Sequence, residues 1–303
     1  MTPDDLARER PYLFRIAYRI LGTAADAEDV MQEAFLRART IDDARSPRAV
    51  LATIVTRLCL DEVRSARRRR EEYIGAWLPE PLLTDEPRTT STAERIEDAE
   101  SMSMAFLVLL EALSPLERAV YVLREILDFN FAEVAAAVGR GEPACRQLFH
   151  RARAHVAERR TRFPAAPAAQ RTLTASFMTA LASGDLDALA RLFTDDVEII
   201  PDHGGKAKSH TRVVVGVDRA SRYFAGMYGR LRDGRYIGGD GTRLAWVNGA
   251  PALLQLQAGV VVGAVVFGIV ESEGGEARIA KVFVVRNPDK LAALRSGLAG
   301  GLG

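Results

Sequence analysis

The spacing of the apolar residues changes once along the chain, at a Pro/Ala-rich stretch over residues 164–170. Before this stretch, in residues 1–75 and 104–163, apolar residues recur every three or four positions, which is typical of amphipathic helices. After it, two helices precede short apolar runs separated by turn signals such as Asn248-Gly249, which indicate antiparallel strands. The sequence therefore predicts a multidomain protein with two all-α domains and an α+β domain over residues 171–286.

A linker over residues 76–103 separates the two helical domains, because helical periodicity is lost there and acidic residues accumulate. Between Glu80 and Glu100 the chain has seven acidic residues and two arginines, a net charge of −5. One apolar motif interrupts this polar stretch: Trp77-Leu78-Pro79-Glu80-Pro81. We expect a tryptophan next to a leucine in a linker to dock onto another surface, because their apolar area is otherwise left in water.

The second helical domain has the pattern of a helix-turn-helix. A short helix over Phe131–Val138 is followed by a glycine turn and an arginine-rich helix from Glu142 to Ala157. We expect Leu148 and Ala152 to face inward on this second helix. Its exposed side is expected to carry Arg146, Gln147, His150, Arg151 and Arg153. Arginine and glutamine can contact base edges and arginine also neutralises phosphates, so DNA binding is predicted; a solvated basic helix is the alternative.

The first helical domain contains a helix, Asp26–Phe35, with one apolar and one polar face. The polar face carries Glu28, Asp29, Gln32 and Glu33, and by itself it is consistent with an ordinary solvated surface. A further apolar stripe, that of the next predicted helix, follows and leads into a cluster of arginines from Arg64 to Arg70. A polar helix, a basic helix and a distant helix-turn-helix in this order favour a function for all three.

These motifs resemble the extracytoplasmic-function (ECF) sigma factors of bacterial RNA polymerase. Residues 1–75 resemble sigma region 2, in which Ala27-Glu28-Asp29-Val30 and Gln32-Glu33-Ala34-Phe35 match the helix that binds the clamp of the polymerase largest subunit. The resemblance implies that Glu28, Asp29, Gln32 and Glu33 bind core polymerase. Other segments match the part of region 2 that melts and reads the −10 promoter element, which implies DNA contacts by Arg48, Thr56, Arg57, Asp61, Arg64 and Arg67.

Residues 104–163 resemble sigma region 4, because Leu113-Ser114-Pro115-Leu116-Glu117-Arg118 precedes the helix-turn-helix. The resemblance implies that this region reads the −35 promoter element and contacts the polymerase flap. The expected partners are therefore RNA polymerase core and promoter DNA.

The remainder resembles the ECF subgroup that ends in a cone-shaped SnoaL-like (NTF2-like) domain, here followed by a tail over residues 287–303. Three motifs are typical of this subgroup: the linker motif, Asp202-His203-Gly204-Gly205-Lys206, and Asn287-Pro288-Asp289-Lys290-Leu291. The resemblance implies that this domain regulates the sigma factor in cis, in place of a membrane anti-sigma protein. We expect the Asp202–Lys206 loop to hold the linker motif and the Asn287–Leu291 motif to supply a second contact.

Two alternatives belong to other classes of protein. A SnoaL-type enzyme would use Asp202, His203 or His210 for proton transfer, and a ligand-sensing regulator would bind a small molecule without engaging polymerase. The acidic face of the Asp26–Phe35 helix favours the sigma factor, because neither alternative needs a surface for polymerase.

The remaining composition predicts no cofactor and no membrane partner. The two cysteines, Cys59 and Cys145, lie within helical patterns, so neither a disulfide framework nor a metal site is expected. The most apolar run, Val260–Val270, is too short to span a bilayer, and the polar N-terminus does not resemble a signal peptide, so a cytoplasmic protein is expected.

Overall fold

The computed structural model describes residues 3–39, 41, 46–85, 102–159, 165–232, 241–271 and 275–300. Most of the acidic half of the linker and part of the Pro/Ala-rich stretch lie outside these ranges. The chain forms two compact units. The helical unit comprises Met1–Glu72 and Leu107–Thr161, and the C-terminal unit comprises Tyr73–Phe106 and Arg162–Gly303. The first part of the linker is thus a component of the C-terminal unit.

Three helices build the first part of the helical unit: α1 (Pro3–Leu21), α2 (Ala24–Ala38) and α3 (Pro47–Glu71). They pack on one another in all three pairings. Their contacts bury the predicted apolar stripes, including Leu13, Ile16, Ile20, Met31, Leu51 and Val55. The short break between α1 and α2 begins at Gly22, whose φ of 78° suits glycine.

The second part of the helical unit contains α4 (Met104–Glu111), α5 (Pro115–Tyr121), α6 (Phe131–Val138) and α7 (Glu142–Arg159). A π-helical segment, Val122–Ile126, continues α5. Ser114 begins α5 as the sequence predicts: its hydroxyl accepts a hydrogen bond from the Glu117 amide, and the Glu117 carboxylate accepts one from the Ser114 amide. The helix-turn-helix of α6 and α7 packs on α5, and α3 packs on both α5 and α6.

The C-terminal unit begins with α8 (Pro167–Ser183) and α9 (Leu186–Leu192), and α10 (Val217–Arg232) lies between strands β2 and β3. Its sheet is formed by β1 (Phe193–Asp202), β2 (Val214–Val215), β3 (Gly241–Val247), β4 (Ala250–Gln257), β5 (Val260–Glu271) and β6 (Ala277–Val285). The strand order is β2-β1-β6-β5-β4-β3. All neighbouring strands are antiparallel except β1 and β6, which are parallel. A 3-10 turn (Pro288–Leu291) and α11 (Ala292–Gly300) complete the unit.

The core of the C-terminal unit lies between its helices and the sheet. Four phenylalanines fill its centre, with ring centroids of neighbouring pairs 4.9–6.2 Å apart: Phe177, Phe193, Phe224 and Phe267. Because SnoaL-like folds often enclose a pocket, the resemblance also allows a small molecule that binds this domain and tunes its regulation, and that ligand stays a prediction.

The sequence pattern predicts a helix from about Leu173 and a strand over Arg212–Val217, and the structure differs from both. Helix α8 begins at Pro167 instead of about residue 173, because proline is well suited to the first helical position. Ala165 is buried in the core and its amide donates to the Ile269 carbonyl, so this part of the predicted hinge packs against the sheet. Strand β2 is only two residues long, because Gly216, with a φ of 92°, turns the chain into α10.

Candidate functional site

The linker motif lies on the C-terminal unit at the carboxyl ends of β1 and β6. Leu78, Pro79, Glu80 and Pro81 are buried there, and Trp77 is half-buried. Because β1 and β6 are parallel neighbours, with Asp202 opposite Val285, the residues that follow both strands meet at one edge of the sheet. The second and third motifs of the sequence are thereby brought together beneath the first.

A buried ion pair forms the centre of this site. Asp202 is the last residue of β1, and Lys290 lies in the 3-10 turn after β6. The Lys290 Nζ atom is 2.7 Å from Asp202 Oδ2, and both side chains are at most 5% exposed. Taking two charges out of water costs free energy, so a pair this deep needs further hydrogen bonds.

The linker backbone supplies two of those hydrogen bonds. The amide of Leu78 donates to Asp202 Oδ2 over 2.8 Å, and Lys290 Nζ donates to the Leu78 carbonyl over 2.5 Å. The ion pair therefore binds both polar backbone groups of one linker residue.

Aromatic rings of the linker cover the lysine. The Lys290 ammonium lies 3.3 Å from the centroid of the Trp77 ring and 4.9 Å from that of Tyr73, and the two rings meet edge to face at 4.8 Å. A cation against the face of an aromatic ring is stabilised by the quadrupole of the ring.

Tyr73 is a member of this site that the sequence did not identify. Its hydroxyl donates to Asp202 and accepts a hydrogen bond from Asn287 Nδ2 over 2.8 Å. Burial of the phenol, together with the hydrogen bond to Asp202, raises the pKa of Tyr73 above its ordinary value. The only signal in the sequence is an aromatic residue four positions before Trp77.

Two glycines of the second motif allow this close approach. Gly204 and Gly205 have φ values of 56° and 71°, which glycine adopts without steric cost. A Cβ on Gly204 would lie 2.5 Å from Asn287 Nδ2, and a Cβ on Gly205 would lie 2.9 Å from the Ile74 side chain. Any side chain at either position would collide with its neighbours.

Two residues of the motifs, Lys206 and His203, have different contacts from those expected. Lys206, expected to hold the linker, forms an exposed ion pair with Asp289, since it lies beyond the glycine turn. His203 is buried, and its Nδ1 accepts from the Gly205 amide over 3.0 Å. Asn287 begins the 3-10 turn, and its side chain accepts a hydrogen bond from the Asp289 amide. Pro288 follows it, and Leu291 is fully buried.

The residues predicted to bind polymerase share one face of α2. Asp29 and Gln32 are exposed. Glu28 and Glu33 are half-buried and pair with Arg10 at 2.5 Å and with Arg37 at 2.7 Å. Leu36, one turn after Gln32, is 59% exposed, and the sequence reading did not include it in this face.

The residues of α3 predicted to bind DNA do not all lie on its surface. Arg48 is exposed, pairs with Glu9 at 2.7 Å and lies over the Tyr12 ring; Asp61 and Arg64 are exposed and pair at 3.2 Å. Thr56 is fully buried, because it faces the helices that pack on α3, so the structure does not place it on the predicted surface. The Arg67 side chain lies outside the described part of the chain.

Arg57 makes a contact that the sequence does not suggest. Its guanidinium donates to the carbonyls of Ala136 and Ala137 over 2.7 and 3.4 Å. These carbonyls belong to the last turn of α6, where a helix leaves acceptors without internal partners and favours a positive charge.

The exposed face of α7 has the composition expected of a recognition helix. Cys145, Phe149, Ala152 and Val156 face inward, whereas Leu148, expected to be buried, is only half-buried because Phe149 takes its place. The five residues predicted to contact DNA are all exposed: Arg146, Gln147, His150, Arg151 and Arg153.

The three arginines of this face are exposed, and each is paired with a carboxylate. The separations are 3.1 Å from Arg146 to Glu142, 3.2 Å from Arg151 to Glu117 and 3.8 Å from Arg153 to Glu125. The pairs of Arg146 and Arg153, whose partners are partly exposed, contribute about 0–1 kcal/mol, so an incoming phosphate or base can displace them. The partner of Arg151 is buried and also bonds to Ser114, which leaves the exposed arginine as the movable member of that pair.

Membrane-spanning helices and metal sites are absent from the residues that the structure describes. No helix in the described part of the chain is long and apolar enough to cross a membrane. Among those same residues, no three His, Cys, Asp or Glu side chains are grouped so that they could hold a metal ion.

Comparison with known proteins identifies the family. Residues 6–69 match the family model for Sigma-70 region 2, and residues 103–156 match the model for Sigma-70, region 4. The ECF RNA polymerase sigma factor SigJ of Mycobacterium tuberculosis is 40% identical over 251 residues, which cover 82% of this chain and 79% of that protein. The probable ECF RNA polymerase sigma factor SigI of M. tuberculosis is 33% identical over 299 residues, covering 96% and 95%.

A solved structure agrees with these relatives. The crystal structure of M. tuberculosis SigJ matches with a TM-score of 0.74 and 34% identity, covering 94% of this chain and 96% of that one. The chain therefore belongs to the ECF family of RNA polymerase sigma factors. The predicted fold class, two helical sigma domains with a SnoaL-like domain, and the predicted function as a sigma factor are confirmed.

Proposed function

We propose that this sigma factor is regulated in cis by its C-terminal domain, which holds the linker between sigma regions 2 and 4. The observation that carries the proposal is the buried Asp202–Lys290 pair, which binds the backbone of Leu78 and is covered by Trp77. A sigma factor must engage two promoter elements at once, so any constraint on its linker limits how regions 2 and 4 can be placed.

The free energy of docking decides whether the linker can act as a reversible switch. Fully burying a side chain such as that of Leu78 contributes about 1.5–3 kcal/mol, and Trp77 adds to this, before the cost of ordering the linker is subtracted. A net preference of about 1.4 kcal/mol changes a two-state population tenfold. A net docking preference of this size would restrain the linker and still allow its release.

The helical unit is proposed to act through its three predicted surfaces. Core polymerase binds the exposed face of α2, the −10 element binds α3, and the −35 element binds α7. The contact of Arg57 with the end of α6 supports a closed resting state, because a side chain proposed to bind promoter DNA is engaged within the protein. Promoter binding would then require its release.

Catalysis is not part of the proposed function. Asp202, the strongest candidate for proton transfer, is fully buried and already bound by Tyr73, Leu78 and Lys290. A carboxylate held in this way serves as a structural acceptor.

Run-off transcription with purified core polymerase tests the regulatory proposal. The variant Lys290→Met leaves Asp202 without its cation, so we expect the linker to be released and transcription from a cognate promoter to rise several-fold. Lys281→Met is the matched control, because Lys281 forms a half-exposed pair with Glu198 in the same domain. In a Trp246→Phe background, Trp77 fluorescence should shift to the red in Lys290→Met alone. A red shift with unchanged transcription would refute regulation by the linker.

A further inference from the structure

The β3–β4 hairpin turn, Asn248-Gly249, contacts the linker at a place separate from the Asp202–Lys290 site. Its two residues have φ values of 53° and 73°, as expected of a two-residue hairpin turn. A turn of this kind is normally at the surface, yet Asn248 is fully buried. A buried amide side chain needs hydrogen-bond partners, and the linker provides them.

Asn248 binds both polar backbone groups of one linker residue, Leu82. The backbone amide of Asn248 donates to the Leu82 carbonyl over 2.9 Å, and the backbone amide of Leu82 donates to the side-chain Oδ1 atom of Asn248 over 3.0 Å. The Asn248 side chain also donates through Nδ2 to the carbonyl of Met102 over 3.1 Å. One side chain therefore binds the linker both near its beginning and near its end.

The linker continues from Leu82 as a short extension of the sheet. Leu83 pairs with Val247 as an antiparallel bridge, and the Thr84 amide donates to the Trp246 carbonyl over 2.9 Å. The Gly249 amide donates to the Thr84 hydroxyl over 3.0 Å. Pairing with an edge strand is a general way for an extended segment to be bound through its backbone.

We propose that Asn248 is a second linker-holding residue, which fixes the point where the linker leaves the C-terminal domain. Met102 lies two residues before α4 begins, whereas Tyr73 lies two residues after α3 ends. The Asp202–Lys290 site therefore holds the region 2 end of the linker, and Asn248 holds the region 4 end. This inference rests on the proposed regulation by the linker and assigns each of its ends a separate site.

Two variants of the full-length chain separate the functions of this residue. Asn248→Gly keeps the turn, because glycine adopts positive φ readily, and it removes both side-chain hydrogen bonds while the backbone bond to the Leu82 carbonyl can still form. Asn248→Asp keeps an acceptor for the Leu82 amide but has no donor for the Met102 carbonyl. The pair therefore distinguishes binding of Leu82 from binding of Met102.

Hydrogen exchange and transcription are the measurements. In Asn248→Gly the Leu82 and Thr84 amides should exchange roughly tenfold faster or more, since each lost hydrogen bond weakens docking several-fold. The amides of Phe267 and Val282, inside the sheet, should keep their native exchange rates and so show that the domain is folded. Trp77 fluorescence in the Trp246→Phe background should shift less than in Lys290→Met, because the Asp202–Lys290 site keeps its own contacts with the linker. Both variants should raise run-off transcription.

The outcomes are distinct from those that test the Asp202–Lys290 site. Native exchange at Leu82 and Thr84 in Asn248→Gly would overturn the second holding site. Native transcription in Asn248→Asp, with raised transcription in Asn248→Gly, would overturn the assignment of Met102. Faster exchange with native transcription in both Asn248→Gly and Lys290→Met would support the holding role and overturn only the proposed regulation.

Discussion

Asp202 and Lys290 form an ion pair in the protein interior, where each charge depends on the other for its stability. The free-energy cost of burying these charges is offset by hydrogen bonds with the Leu78 backbone and the Tyr73 hydroxyl, and by the contact of Lys290 with the Trp77 ring. Removing one partner from such a pair typically costs about 3–5 kcal/mol, because the other charge stays buried. Release of the linker would admit water to both charges. The stability of the ion pair and the docking of the linker therefore depend on each other.

Tyr73 makes docking sensitive to alkaline pH. An undocked tyrosine ionises near about pH 10, whereas docking raises the pKa of Tyr73, so the docked state keeps its proton longer. Below about pH 10 the phenol has no effect; above it, the undocked state loses a proton and is favoured. We expect the Trp77 fluorescence of a Trp246→Phe chain to shift to the red between about pH 9 and 11.

Tyr73→Phe is the control for this titration. The charged side chains that face the phenol are Asp202, Lys290 and Asp289, and this variant leaves all three in place while it removes the group that ionises. The change of Trp77 fluorescence with pH should be shallower in the Tyr73→Phe variant than in the chain that keeps Tyr73. Identical transitions in the two proteins would show that Tyr73 does not contribute.

At the same scale, the sequence identified the motifs but not every residue of the site. Trp77, Leu78, Asp202 and Lys290 were found because they belong to recognisable motifs. Tyr73 was missed because a single tyrosine near a helix end has no distinguishing pattern. Asn248 was assigned only to its turn, since an Asn-Gly pair already has a local explanation and its contacts with Leu82 and Met102 are distant in sequence.

Helix α7 supports a prediction at the scale of one element. Arg146→Ala and Arg151→Ala should weaken binding to a −35 fragment, by about 1–3 kcal/mol where the arginine contacts a base. An arginine that contacts only phosphate should weaken binding to all sequences alike and reduce the salt dependence. Fluorescence anisotropy with specific and scrambled fragments at several salt concentrations separates the two.

The matched control for α7 is Arg222→Ala. Arg222 is also exposed on a helix, but on α10 of the C-terminal domain, where its guanidinium bonds to the carbonyl of Asp218. It removes the same charge without touching α7. Undiminished binding in Arg146→Ala/Arg151→Ala would refute α7 as the recognition helix.

Helix α2 supports a second prediction about an element. Asp29→Lys/Glu33→Lys should abolish binding to core polymerase and leave helicity intact. The loss of the exposed Glu33–Arg37 pair costs only about 0.2–0.5 kcal/mol, so the fold should tolerate the change. Asp187→Lys/Asp195→Lys makes the same change of charge on exposed residues of the C-terminal domain. Equal affinity of the two double variants for core polymerase would contradict the assignment of α2.

Elements with strong local signals were predicted well, and their pairing was not. The bounds of α6 agree with the prediction because Asn130 caps its start and Gly139, with a φ of 66°, ends it. The parallel pairing of β1 with β6 joins residues far apart in sequence, and no local pattern specifies it. That pairing decides that Lys290, instead of Lys206, becomes the buried lysine of the site.

At the scale of the whole molecule, the linker is held at two sites on one domain. When both sites bind the same segment, the second contact forms at high effective concentration, so the two support each other. Removal of the tail from Asn287 would disturb more than this linkage, because Leu291 and Leu294 are fully buried in the domain. Single substitutions therefore test the linkage more cleanly than truncation.

The double variant Lys290→Met/Asn248→Gly measures this linkage. If the two sites acted independently, the increase in transcription of the double variant would equal the product of the two single increases. Because either loss already removes the mutual support, we expect a double increase smaller than that product. Run-off transcription from one promoter at fixed core polymerase, with the native chain and all three variants, gives the four values of the cycle. A double increase equal to or larger than the product would show that the two ends of the linker are released independently.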